Sequence, residues 1–176
     1  VSDADGTLRI EGLDAGTYYL EEILPPQGYH LESDRIEVVV DGSREHLEVA
    51  ASNQKTRVQI LKLDGESRVA RPGAVLQIFD KQNTLIAEWT SDETPKVLEG
   101  LLLAGETYTL HEKTAPPGYA AAEDVVFTIE LSDETQKLIE LENFRTTLSI
   151  SKETLGGSEL PGAKLSLFDA DGGLLE

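Results

Sequence analysis

Lys62, Glu112 and Asn143 are polar residues that each close a run of alternating apolar positions. Alternate residues of a strand share one face. Val58 and Ile60 therefore share a face with Lys62, Tyr108 and Leu110 with Glu112, and Ile139 and Leu141 with Asn143. In each strand the face that should turn inward ends in a group that water would otherwise hold. Burial disfavours charge, so a lysine carried into such a core shifts towards its neutral amine and a glutamate towards its neutral acid. A neutral amine is a nucleophile, and the carbonyl of an asparagine side chain can receive it. The glutamic acid can polarise that carbonyl and shuttle the proton to departing ammonia. The product would be an amide between two side chains, an intramolecular isopeptide bond. The plainer alternative is that the three strands end at a sheet rim, with their polar ends in water.

Repetition argues against the rim. Tyr18 to Tyr29 reads YYLEEILPPQGY and Tyr108 to Tyr119 reads YTLHEKTAPPGY, an offset of 90 residues. The same offset of 90 relates Asn53 to Asn143, Glu22 to Glu112 and Lys62 to Lys152. Pro72-Gly73-Ala74 recurs as Pro161-Gly162-Ala163, and Phe79-Asp80 as Phe168-Asp169, at an offset of 89. Such a period is the mark of a tandem array. Residues 55–143 form a complete unit, 1–54 the later part of a unit before it, and 144–176 the opening part of a third. Glu22 and Asn53 then belong to a site whose lysine precedes residue 1. Lys152 belongs to one whose glutamate and asparagine follow residue 176, unless residues 144–176 of one copy complete 1–54 of the next, head to tail.

The elements that must position these residues are strands. Alternation runs through Thr56–Asp64, Ala74–Asp80, Thr107–Lys113, Val125–Leu131 and Lys137–Asn143. Turn signals separate them: Asp64-Gly65, Arg71-Pro72-Gly73, Ala104-Gly105, Pro116-Pro117-Gly118 and Ser132-Asp133. Nothing sustains a helical period. The chain reads as all-β, in antiparallel two-sheet sandwiches of about 90 residues per unit. On that reading Lys62 lies on the first strand of its unit and Asn143 on the last, so an amide between them ties the two ends of the domain together.

Composition narrows the function classes. The 176 residues carry 15 Lys and Arg against 33 Asp and Glu, a net charge of −18. A surface that acidic repels phosphate backbones and anionic lipid, which excludes nucleic-acid binding. No apolar run is long enough to span a bilayer, so no membrane insertion is expected of this segment. Cysteine is absent, which removes disulfides, thiol catalysis and zinc–thiolate sites together. Asp3-Ala4-Asp5-Gly6 and Asp169-Ala170-Asp171-Gly172 begin like calcium loops but lack the glycine at the sixth position, and read as acidic hairpin turns. His30, His46 and His111 are scattered, without a neighbouring carboxylate or hydroxyl motif. Trp89 reads as a core edge or an exposed contact. No cofactor or metal is expected.

The order of Lys62 in an opening strand, a Pro-Gly-Ala turn, the box Tyr108, Leu110, Glu112, Pro116, Gly118, Tyr119, and a closing strand ending at Asn143 resembles the Cna B-type domain. That is the SpaA-like, prealbumin-like fold of Gram-positive surface adhesins and pilins. The resemblance covers the whole chain as one full and two partial domains. It implies a structural stalk module on the cell surface, anchored to the wall outside this segment, with a self-formed Lys–Asn crosslink and glutamate as the internal catalyst. Such a trio reacts once and is consumed, so it does not make an enzyme. Leu160-Pro161-Gly162-Ala163 is the family's internal turn and not a sorting signal, and a pilin-type Tyr-Pro-Lys lysine is absent. An adhesin stalk is therefore favoured over a pilus shaft. The competing reading is an adhesin module that grips a host protein or glycan, which an aromatic content of only 6% disfavours.

Overall fold

The computed structural model describes residues 2–31, 35–43, 47–131 and 137–175. His46 and the Ser132-Asp133 turn expected from the sequence lie outside the described residues. The chain divides into a unit of residues 1–145 and a unit of residues 146–176.

Within the larger unit, strands β1 (Gly16–Leu20) and β2 (Ile36–Val40) pair antiparallel. Seven further strands follow: β3 (Arg57–Asp64), β4 (Val75–Asp80), β5 (Leu85–Thr90), β6 (Lys96–Glu99), β7 (Thr107–Thr114), β8 (Val125–Thr128) and β9 (Lys137–Asn143). They form a three-stranded sheet ordered β6-β3-β9 and a four-stranded sheet ordered β5-β4-β7-β8. Alternate residues of each strand turn inward. Val58 and Ile60 from β3, Leu76 and Ile78 from β4, Tyr108 and Leu110 from β7, and Ile139 and Leu141 from β9 fill the core. Burying apolar area at about 25 cal/mol per Å² is what drives the two sheets together.

One pairing departs from the antiparallel expectation. β3 and β9 run parallel, from Val58 opposite Lys137 to Asp64 opposite Asn143. The reason is connectivity: two strands at the start and end of a domain need no tight hairpin between them, and the intervening strands supply the long crossover that parallel neighbours require. Trp89 is partly buried at the edge of the core. His111 does have a carboxylate partner, since its Nδ1 lies 2.7 Å from Asp124 Oδ1, a neighbour that becomes visible only once β7 and β8 pair. The acidic turns are as expected. Asp3 Oδ1 accepts from the N–H groups of Asp5 and Thr7, and Asp169 Oδ1 from those of Asp171 and Gly173.

Residues 28–31 meet the complete sandwich closely. Gly28 has φ +80°, and a Cβ there would stand 2.2 Å from the Gly100 carbonyl oxygen, so only glycine fits. Thr56 N–H donates to Gly28 O at 2.9 Å, and its hydroxyl donates to Leu102 O at 2.6 Å. Leu31 N–H donates to Leu131 O at 2.7 Å. In the smaller unit, isolated bridges join Glu153 to Glu159 and Phe168 to Leu174. Leu148, Ile150, Leu165, Leu167 and Leu174 are exposed there, as Leu8, Ile10, Tyr19, Leu47 and Val49 are in residues 2–54.

Candidate functional site

Strand phase delivers the polar ends of three strands to one place in the core. Lys62 follows Val58 and Ile60 on the inner face of β3, Glu112 follows Tyr108 and Leu110 on β7, and Asn143 follows Ile139 and Leu141 on β9. All three are buried, at 2%, 4% and 1% exposure. Lys62 stands opposite Leu141, which makes Asn143 its diagonal neighbour on the same face.

The contacts are directional. Lys62 Nζ lies 3.6 Å from Glu112 Oε1 and donates to Leu141 O at 3.0 Å. The other carboxyl oxygen, Glu112 Oε2, accepts from Asn143 Nδ2 at 2.7 Å and from the Ala122 N–H at 2.7 Å. Asn143 Nδ2 also donates to Ala120 O at 2.6 Å. One carboxyl oxygen thus faces the lysine nitrogen and the other faces the asparagine nitrogen. Glu112 Oε1 and Asn143 Oδ1 are buried without a hydrogen-bond partner. Burial lowers the Lys62 pKa, while the nearby charge of Glu112 works in the opposite direction. The sequence expectation had Glu112 polarising the asparagine carbonyl. In the structure Glu112 engages the amide nitrogen instead, because Ala120 O is an acceptor and draws the NH₂ end towards itself and towards Oε2.

A second buried group adjoins this one. Tyr119 OH donates to Asp64 Oδ2 at 2.5 Å, and Arg145 Nε donates to Tyr119 OH at 3.3 Å. The Arg71 guanidinium lies 4.4 Å from the Tyr119 ring centroid. Asp64 Oδ1 accepts from the Glu66 and Ser67 N–H groups. The Ser67 amide and the Tyr119 hydroxyl hold the Asp64 carboxyl well below the usual range. Sequence reasoning passed over Asp64, although its phase, two residues beyond Lys62 on β3, was a readable signal. Nothing in the sequence marked the backbone groups of Ala120 and Ala122. An open cleft of about 380 Å³ borders Asn143, lined by Ala120, Ala122, Val125, Leu141 and Phe144 among others.

Half of the same arrangement stands in residues 2–54. Asn53 Nδ2 donates to Glu22 Oε2 at 2.5 Å and to His30 O at 3.0 Å, as Asn143 does to Glu112 and Ala120. Lys152, the counterpart of Lys62, is exposed in the smaller unit. Among the described residues no cluster of His, Asp and Glu could hold a metal ion. No helix of the described residues is long and apolar enough to cross a membrane.

No curated protein sequence matches the chain. Among solved structures, the Bacillus anthracis TIE protein is similar at 24% identity and a TM-score of 0.50, over 82% of this chain and 28% of that one. The chain therefore spans little more than a quarter of that relative, and the likeness is one of fold. A Streptococcal ancillary pilin is similar at 25% identity over 74% of this chain and 43% of that one, with a TM-score of 0.41. The shaft pilin SpaA from Lactobacillus rhamnosus GG is similar at 16% identity over 85% and 68%, with a TM-score of 0.46. The family described as SpaA, prealbumin-like fold domain, matches residues 1–55 and again 56–144. With two consecutive matches covering most of its length, and a two-sheet sandwich under the second, the chain belongs to the SpaA family of prealbumin-like fold domains.

Proposed function

We propose that this chain is a structural segment of a bacterial surface stalk whose units lock themselves with an amide between Lys62 and Asn143, formed once with Glu112 as proton carrier. The observation that carries the reading is the placement of the two Glu112 oxygens, one towards each nitrogen that must change its protons. Lys62 Nζ hands a proton to Oε1 and becomes a neutral amine. It attacks Asn143 Cγ, so that the Nζ–Cγ bond forms and the Cγ–Nδ2 bond breaks. The nitrogen that leaves takes its third hydrogen from the carboxyl, and the newly bonded Nζ gives its second proton back to that carboxyl. The products are one secondary amide, one ammonia and a protonated Glu112, which solvent or the departing ammonia then relieves of its proton. Charge separation at Cγ is brief and shielded from water, the conditions in which positioned groups act most strongly. The cleft beside Asn143 offers the ammonia a way out.

Membership of the SpaA family supports a structural role at the cell surface, outside the membrane and anchored to the wall elsewhere in the protein. The domain limits we propose are 1–54, 55–143 and 144–176. Glu22 and Asn53 belong to an equivalent site completed by a lysine of a preceding unit or of another copy, and Lys152 to one completed by a following unit. Intact-mass measurement tests the reading: the chain should weigh one ammonia less than its sequence. Glu112→Ala should restore the full mass while the domain stays folded. A Glu112→Ala chain that still lacks the ammonia would remove glutamate from the reaction.

A further inference from the structure

We propose that Tyr119 and Asp64 are positioning residues for this amide-forming reaction, acting through the segment 119–122 that orients the Asn143 side chain and the Glu112 carboxyl. The inference rests on the reading of Lys62, Glu112 and Asn143 given above.

An asparagine amide has two ends of nearly the same shape and opposite hydrogen-bonding character. Only one orientation reacts, because the nitrogen must face the group that will protonate it as it leaves. Ala120 O can only accept, and it takes one Nδ2 hydrogen at 2.6 Å. Turned the other way, Asn143 would set Oδ1 against that carbonyl. The Ala120 carbonyl therefore fixes the leaving nitrogen beside Glu112 Oε2, at 2.7 Å. The Ala122 N–H pins the same oxygen at 2.7 Å. This keeps Oε1 turned to the lysine until the amine attacks.

Both backbone groups lie in the connection between β7 and β8, outside either strand. The backbone ties it to the chain after β9, with Ala120 N–H donating to Phe144 O at 2.9 Å, and the Tyr119 side chain adds a second tie, to β3. Its hydroxyl donates to the buried Asp64 carboxylate at 2.5 Å, Arg145 braces the pair, and Arg71 covers the ring. Asp64 is itself fixed by two N–H groups of its own turn. It follows Lys62 on β3 and stands opposite Asn143 on β9. The clasp thus ties the strand of the nucleophile to the segment that aims the electrophile. The earlier unit repeats the cradle, with Asn53 Nδ2 donating to His30 O directly after Tyr29.

The test is the rate of ammonia loss, followed by intact mass after cell-free synthesis of the whole chain. Tyr119→Phe keeps the ring and removes the hydroxyl. It should slow the loss at least tenfold, since small misplacements of reacting groups cost rate steeply, and the reaction should still run to completion because the three reacting residues remain. Asp64→Asn, which keeps the shape of the clasp and removes its charge, should slow it in the same direction and stands in if Tyr119→Phe fails to fold. Trimethylamine oxide, which favours the compact state, should leave the slowed rates slow. Restoration by the osmolyte would mean that the variants are only partly folded, and would overturn the proposal. Parent-like rates in both variants would overturn it too, with the reaction itself left standing. A parent chain that never loses ammonia would overturn the underlying reading first.

Discussion

At the scale of residues, the proposed reaction treats Lys62 and Glu112 as a lysine and a carboxyl that share one exchangeable proton. Ion pair and neutral pair differ only in where that proton sits, so the reactive form is a fixed fraction as long as the pair holds just one. Burial has lowered the Lys62 pKa, which brings the free amine within reach at a pH where an exposed lysine would stay protonated. The rate of ammonia loss should accordingly be level around neutrality. It should fall on the alkaline side, where Lys62 no longer brings the proton that the leaving nitrogen needs. A rate that simply climbs with pH would mean that Glu112 carries no proton in the reaction. The three side chains were legible because a charged residue in phase with apolar ones is conspicuous. The segment 119–122 was not, because its contribution is a carbonyl and an N–H that every residue type but proline possesses.

At the scale of elements, five strands were legible as alternating runs, while β5 and β6 were not. β5 has no fully buried position and the four-residue β6 has one, Leu98, so neither strand shows a contrast between inward and outward residues. Parallel pairing of β3 and β9 was also hidden, since alternation assigns faces and says nothing of direction. A bond from Lys62 to Asn143 closes a loop of about 80 residues, which in the chain-entropy picture of crosslinks contributes roughly 4 kcal/mol. Lys62→Ala should therefore lower the melting temperature of this domain by roughly 20 °C or more, read by calorimetry. An unchanged melting point would leave the bond energetically idle.

At the scale of the whole molecule, the 90-residue period made the unit legible in the sequence. The fit between residues 28–31 and the complete sandwich was not, because it depends on two glycines 72 positions apart, Gly28 and Gly100. Gly28→Ala would drive a methyl group into the Gly100 carbonyl at a backbone angle that disfavours it. Trypsin should then cut at Lys55 far faster than in the parent chain. The apolar faces left exposed in residues 2–54 and 146–176 predict a further behaviour. Concentrated chains should join end to end through Lys152 of one copy and Asn53 of another, giving a ladder on denaturing gels, and not a closed dimer alone, that Lys152→Ala abolishes. Finally, the parallel course of β3 and β9 decides how tension would travel. A pull applied at Thr56 and Asn143 enters the sheet at one end and leaves at the other, so it shears the β3–β9 ladder instead of unzipping it. With the amide in place the load runs along β3 to Lys62, crosses to Asn143 and departs. The roughly 80 residues between them bear none of it, and the domain transmits force as a short, nearly inextensible link.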